Sequence, residues 1–435
     1  MSERKLKVVW ICHFSDERTR QNLKFNKYYF HKVIRWALRK NSNVYNDFAQ
    51  WISNSIKYFE NSKDIDLTII FPHGGIEGNL QRFDLNGIHY VAFRSQTDHF
   101  FSYVKERLLR LPEEVFLKNR SVISSMIKTI KPDIVHVIGA ENPYYSIAAL
   151  DIPNSIPSII SLQTLLSDSG FYENYPVSKK WYNYHSKLEK AIIRKCTYIG
   201  SGSIYFKEVI KKNIFQNAIV LKMKLAVGVE INTVCNSKEY DFVYFAKNIS
   251  KAADFAIEAF AIAHKESPML TLNISGAYTD NYKYKIDKRV NELGIKDFVF
   301  FSGEQATHEK VLEQIKKSKY ALLPLKVDLI SGTIREAMAC GLPVISTITP
   351  ATPKLNKDRE SILLSERGDF QAMANNMIKL VSDEKYALRI KDNAIITVSE
   401  LYSNEQFMKM WRKAYFEIID NFQKGTPFSD DIIFN

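Results

Sequence analysis

Residues 328 to 347 read DLISGTIREAMACGLPVIST, and their types and spacing can do chemistry. Asp328 and Glu336 have seven residues between them, so a loop followed by a helical turn would aim both carboxylates the same way. A carboxylate accepts a pair of hydrogen bonds from a vicinal diol, such as the 2' and 3' hydroxyls of a ribose, and a second one can hold a sugar ring. Between them, Ser331, Gly332 and Thr333 precede IREAMAC, whose Arg, Glu, Ala and Met favour helix. Free amides at a helix start suit a diphosphate, and Gly332 would let it approach the backbone. The same turn also reads as plain N-capping by Ser331 or Thr333, which any α/β protein needs. Taken singly, either acid reads equally well as a surface or capping carboxylate.

Such groups must be carried by strands and helices that bring them to one edge. Short β-rich runs alternate with amphipathic stretches throughout the chain, which predicts an α/β fold with parallel sheets. The strand candidates are KVVWIC (7–12), LTIIF (67–71), IHYVAF (88–93), IVHVI (134–138), SIISL (158–162) and TYIGS (197–201). A second set comprises FVYFA (242–246), MLTLNIS (269–275), FVFFS (298–302), YALLP (320–324), PVIS (343–346) and SILL (361–364). Two similar halves emerge. The stretch 222–234 between them lacks either period and contains Gly228, which places a hinge there. The expected division is a first domain over 1–225, a second over 226–405, and a terminal segment over 406–435. Ligands of open parallel sheets bind beyond the strands' carboxyl ends, so the cleft is expected at the domain junction. The last helix, expected from Gln406 to about Lys424 with Ser403 and Gln406 as a capping box, carries an apolar stripe of Phe407, Trp411, Ala414, Tyr415 and Ile418. Such a stripe needs a surface, and the first domain is the expected one.

Composition narrows the class. In 435 residues, 46% are hydrophobic and 25% charged, as in ordinary globular proteins of two or three domains. The four cysteines, Cys12, Cys196, Cys235 and Cys340, are scattered without a C-x-x-C or a nearby His, which argues against a zinc site or a disulfide framework. Nowhere do eighteen uninterrupted apolar residues occur, and the opening MSERKLKVVWIC lacks a signal-peptide pattern, so a cytoplasmic protein is expected. Of the formal charge of +12, residues 1–200 hold +9. Residues 18–40 contain eight basic and no acidic residues, interleaved with Phe25, Tyr28, Tyr29, Phe30 and Trp36. That mixture suits peripheral contact with an anionic membrane surface, and it equally describes a solvated basic helix. Nucleic acid is not expected, since no recognised binding module accompanies the charge.

At the acids the sequence resembles a known family. Asp328, seven residues, Glu336 and the following AMACGLPVI are similar to the Glu, seven residues, Glu pattern of family 4 (group 1) retaining glycosyltransferases, with its E-A-M-A-x-G-x-P-V. KPDIVHVIG (131–139), IPSIISLQ (156–163), GVEI (228–231), VYFAKNISKAADFAIEAF (243–260) and FFSGE (300–304) resemble further family stretches in the same order. The resemblance is strong in the second half and loose in the first hundred or so residues. It implies a GT-B fold of two Rossmann-like domains facing across a cleft. The acceptor, a saccharide or lipid-linked saccharide, is then held mainly by the first domain, and the nucleotide-sugar by the second. Surface polysaccharide synthesis would be a fitting setting. By position it implies that Lys247 and Lys251 contact the donor phosphates, Glu336 the ribose, and Asp328 the transferred sugar. Ser331, Gly332, Thr333, Gly303 and Glu304 then complete the donor side. Two ammonium groups and a helix N-terminus would stabilise the charge growing on a leaving diphosphate, so neither a metal nor a cofactor is expected. Retention is expected without a protein nucleophile, the acids serving as binding groups rather than as a glycosidase pair.

Several positions depart from the family pattern. Asp328 is one methylene shorter than Glu, and Leu329-Ile330-Ser331 replaces Gly-Phe-Gly. Ala246-Lys247 replaces Gly-Arg, which turns a bidentate phosphate grip into a point charge. Gln163 replaces the His that closes P-x-x-x-T-x-H; it can hydrogen-bond a hydroxyl but carries no charge. The loop after KVVWIC lacks paired glycines and offers His13, Ser15 and Asp16 toward an acceptor instead. These departures keep a non-catalytic sugar-nucleotide-binding or partner subunit as the alternative. Glu141 and Asn142 in GAENPYY follow a strand where ligand loops emerge, and read equally as a turn or cap. His136, inside a strand, reads as a core histidine before a catalyst, and HGG (73–75) as a turn.

Overall fold

A computed structural model describes residues 4–25, 47–95, 116–168, 178–226, 231, 237–326 and 331–434. The chain divides into two compact units, residues 1–226 together with 404–435, and residues 227–403. Asp328, most of the expected hinge, and residues 26–40 of the basic-aromatic segment lie outside the described residues.

Unit 1 is built on an eight-stranded sheet. Its strands are β1 (Leu6–Ile11), β2 (Ile65–Pro72), β3 (Leu80–Leu85), β4 (Ile88–Phe93), β5 (Ile134–Ile138), β6 (Ser158–Ser161), β7 (Tyr198–Ser201) and β8 (Ile219–Lys222), in the order β3-β4-β2-β1-β5-β6-β7-β8. All pairs are parallel except the β3–β4 hairpin, where Asn86 and Gly87 both take positive φ (50° and 74°), as a two-residue turn matched to strand twist requires. Central strands are covered on both faces, so they run continuously apolar; every residue of β5 is buried. β3 and β8 were not anticipated. LQRFDL mixes polar and apolar residues without clean alternation, and IVLK is an edge strand with only its two middle residues buried.

The chain end belongs to unit 1. Its last helix runs Asn404–Lys424, two residues earlier than expected, and buries Phe407, Trp411, Ala414, Tyr415 and Ile418. The Tyr415 hydroxyl accepts from Trp10 Nε1 (2.8 Å) and bonds His136 Nδ1 (2.6 Å), whose Nε2 meets Ser161 Oγ (2.8 Å). His136 is therefore a satisfied core residue, fully buried, with its pKa lowered to about 3 by burial.

Unit 2 holds six parallel strands, β9 (Tyr240–Asn248), β10 (Leu272–Ala277), β11 (Val299–Gly303), β12 (Ser318–Leu323), β13 (Val344–Thr347) and β14 (Leu363–Ser365), ordered β11-β10-β9-β12-β13-β14. This is the doubly wound Rossmann order, which reverses between β9 and β12 and opens a crevice beyond their carboxyl ends. In unit 1 the order reverses between β1 and β5. Lys247 lies at the end of β9 and Ser331 follows β12, while His13 follows β1 and Glu141 follows β5. Cys12, Cys196 and Cys340 are buried free thiols.

Candidate functional site

In unit 2 the end of β9 delivers Lys247. Strand β10 crosses so close here that a Cβ on Gly276 would lie 1.9 Å from the Ala246 carbonyl oxygen, and Gly276 takes φ +141°. A glycine is thus required beside the lysine. Asn248 caps the short turn Ile249–Lys251 by accepting from the Ser250 amide (3.0 Å), which sets Lys251 on the same edge. Lys247 keeps more than a third of its surface exposed, yet partial desolvation lowers its pKa; the Glu304 carboxylate pulls it back up and Lys251 pushes it further down. The strand-end lysine, Lys251 and the acid after β11 therefore sit within one electrostatic neighbourhood.

The helix Gly332–Ala339 follows β12. Ser331 is its N-cap, accepting from the Thr333 amide (3.3 Å) and sharing a hydrogen bond with Thr333 Oγ1 (2.7 Å). Of the two readings of this turn, capping is thus present. Among the described residues, a Cβ on Gly332 would meet only the Arg335 guanidinium, at 4.0 Å. The helix closes on Gly341 (φ +71°), with Leu342 N donating to Ala337 O and Gly341 N to Met338 O, the αL ending that explains Cys-Gly-Leu-Pro. One turn in, the Glu336 carboxylate lies 3.8 Å from His308 Nε2. Burial raises its pKa, and His308 and then Arg335 draw it back down. His308 begins the helix His308–Lys316 after β11. Nothing in the sequence pointed to it, because 27 residues separate it from Glu336.

In unit 1 the loops after β1, β5 and β6 meet. Gly139, just past β5, has φ +93°, and a Cβ there would lie 2.9 Å from Gln163 Nε2, 2.8 Å from Glu141 Oε1 and 2.7 Å from the Tyr145 hydroxyl. Gln163 and Glu141, far apart in sequence, therefore face the same small space. Asn142 Nδ2 donates to Glu141 Oε1 (3.2 Å), whereas buried Glu141 Oε2 has no hydrogen-bond partner among the described residues. Burial, reinforced by the Glu189 charge, raises the Glu141 pKa to about 7. His13 shares a hydrogen bond with the Tyr144 hydroxyl and packs edge-on against Phe48. Asn119 fixes that tyrosine by donating to its carbonyl (2.7 Å). Ser15 and Asp16 have local partners: Asp16 caps the turn Glu17–Arg20 through the Thr19 amide (2.7 Å), and Ser15 Oγ accepts from Arg20 (2.8 Å). In the described part of the basic-aromatic segment, Arg18 pairs with Glu60 and Arg20 with Asp47. Among the described residues, no helix is long and apolar enough to cross a membrane.

Tyr144 and Glu189 were missed from the sequence. The first stands inside GAENPYY, which was read only for its acid and amide. The second lies in a lysine-rich helix, Lys179–Lys195, where a lone acid looks like surface charge; it is fully buried, accepting from the amides of Leu166 (2.9 Å) and Ser167 (2.7 Å).

Comparison with known proteins bears on the fold. Residues 234–397, nearly all of unit 2, match the family described as glycosyl transferases group 1. A curated relative, N-acetyl-alpha-D-glucosaminyl L-malate synthase of Bacillus anthracis, is 28% identical over 136 residues; the match spans 31% of this chain and 35% of that protein. Among solved structures, sucrose-phosphate synthase from Thermosynechococcus elongatus superposes with a TM-score of 0.69 at 14% identity, covering 95% of this chain and 99% of that one. Anabaena HepE in complex with UDP gives 0.61 at 12% identity, covering 95% and 100%. The fold is GT-B.

Proposed function

From the match of residues 234–397 to the group 1 glycosyl transferases, we propose that the chain moves a sugar from a nucleoside-diphosphate donor to a hydroxyl of a saccharide or lipid-linked saccharide, with retention of configuration. One observation carries this reading: the reversal point of the unit 2 sheet gathers Lys247, Lys251, Glu304, Glu336 and a helix start. In the proposal the lysines and the helix start receive the diphosphate. As the glycosidic bond breaks, the leaving oxygens gain negative charge, so these cations stabilise the transition state more than the ground state. Glu336 accepts from the ribose hydroxyls, and His308 lies beside its carboxylate at 3.8 Å. Asp328 is assigned to the transferred sugar by its position in the pattern. In unit 1, Gln163, Glu141, Asn142 and the His13–Tyr144 pair are assigned to the acceptor. Two acceptor classes follow from the comparisons and the pattern, a neutral saccharide or a small hydroxy-dicarboxylate such as the L-malate named for the Bacillus relative.

A thermal-shift and hydrolysis screen of nucleotide-sugars tests the donor side, with UDP-N-acetylglucosamine as the first probe. Binding should raise the melting temperature of the wild type and not that of Glu336→Ala; identical shifts in both would remove the donor assignment. Turnover separates an enzyme from a sugar-nucleotide-binding subunit. Metal-independent transfer is part of the proposal, and loss of turnover in chelator would contradict it. Contact of residues 18–40 with an anionic membrane surface is also proposed, with sedimentation on anionic vesicles as its measure; neutralising Arg35, Arg39 and Lys40 should reduce it.

A further inference from the structure

We infer that Glu141 carries a proton at Oε2 and donates it in a hydrogen bond to a neutral acceptor hydroxyl, so that unit 1 selects uncharged polyol acceptors over anionic ones. This rests on the acceptor-side reading of unit 1 proposed above. The carboxyl's two oxygens are unequal. Oε1 already accepts from Asn142 and faces Gln163 across the space beside Gly139, whereas Oε2 is buried with no partner among the described residues. A buried bare carboxylate oxygen is costly, and protonation converts it into a donor that a ligand oxygen can satisfy.

Burial and the Glu189 carboxylate favour the proton, against the backbone amides of Glu141 and Ala140 and the Asn142 side chain, which favour the anion. Glu189, from the helix Lys179–Lys195, places a second buried carboxylate nearby; its own oxygens are satisfied by the amides of Leu166 and Ser167, in the loop that carries Gln163. Two neighbouring carboxyls with unequal hydrogen bonding separate into one ionised and one protonated. The other titratable groups facing Glu141 are the hydroxyls of Tyr144 and Tyr145, both kept protonated by burial, while His13 is bonded to Tyr144. An anionic acceptor would bring a further negative charge beside two buried carboxyls whose pKa values burial already raises, whereas a sugar hydroxyl can accept from Glu141 and also bond the Gln163 amide. Glu141 is thus a specificity-determining residue, and Glu189 a positioning residue that holds both the loop and the proton.

Infrared difference spectra between the full chain and E141Q test the proton directly. At about pH 6 the wild type should show a protonated carboxyl band that E141Q lacks. The band should fade as pH rises through about 7, and E189Q should move that fading to lower pH. Methyl α-D-glucopyranoside should shift the band, and L-malate at the same concentration should not. Absence of the band at about pH 6, or its persistence in E141Q, would overturn the protonation. A band that ignores the glucoside, or that responds to malate instead, would overturn the acceptor class. Circular dichroism guards against unfolding of the isosteric variant. A UDP thermal shift, expected to be the same in E141Q and wild type, reports the donor side separately, so its failure would touch only the broader functional reading.

Discussion

His136 offers a sharp test of how unit 1 is held together. Its imidazole is fully buried between Tyr415 of the last helix and Ser161 of β6, with the Trp411 ring centroid 4.8 Å away and that of Trp10 6.1 Å away. Burial lowers its pKa from 6.5 to about 3, so between these values the unfolded chain binds a proton that the folded chain refuses. The contribution to stability is complete above the unfolded value and is lost progressively as pH falls toward the folded one. Acidification from about pH 8 to about pH 5 should remove roughly 2 kcal/mol through this one group, and the whole span roughly 5 kcal/mol. The assay is urea unfolding at the two pH values, followed by tryptophan fluorescence, since Trp10 and Trp411 both contact the ring. His136→Gln lowers stability at neutral pH by disturbing the bonds to Tyr415 and Ser161, but it should erase that acid-dependent increment. Equal acid losses in wild type and variant would refute a neutral buried imidazole.

Two further outcomes follow from the site. Lys247→Ala should lower kcat/KM for the bound nucleotide-sugar by about 10²- to 10³-fold, with a smaller change in donor affinity, because the charge it meets develops mainly during bond cleavage; a loss confined to affinity would assign it to ground-state binding. Gly276→Ala forces a Cβ to within 1.9 Å of the Ala246 oxygen, so it should destabilise unit 2 by on the order of 3 kcal/mol and displace the strand end carrying Lys247. Chemical denaturation reads the first effect and UDP thermal shift the second; a variant as stable as wild type would mean that the β9–β10 crossing can relax.

Much of the architecture was legible in one dimension because both sheets are parallel and covered on both faces. Buried strands then appear as unbroken apolar runs such as IVHVI, separated by stretches of helical length, and the order of these runs is the order of a doubly wound fold. β3 escaped because its hairpin edge is half exposed, and β8 because it is an edge strand with only its two middle residues buried. The Ser-Gly-Thr turn and its αL exit at Gly341 were equally local, since caps are read from neighbours within a few residues. What the sequence by itself determined was therefore most of the strands, the Ser331 cap, and which strand ends carry polar groups.

Only the tertiary structure decided which groups meet. Glu336 finds His308, Glu141 faces Gln163 and feels Glu189, and His136 is claimed by a tyrosine from the far end of the chain. None of these pairings has a period or a spacing, because parallel strands set side by side are joined by long crossovers. Charge state followed the same division. Residue type sets an ordinary pKa, but burial and neighbouring charge, which exist only once the loops are folded together, push the Glu141 carboxyl up and the His136 imidazole down.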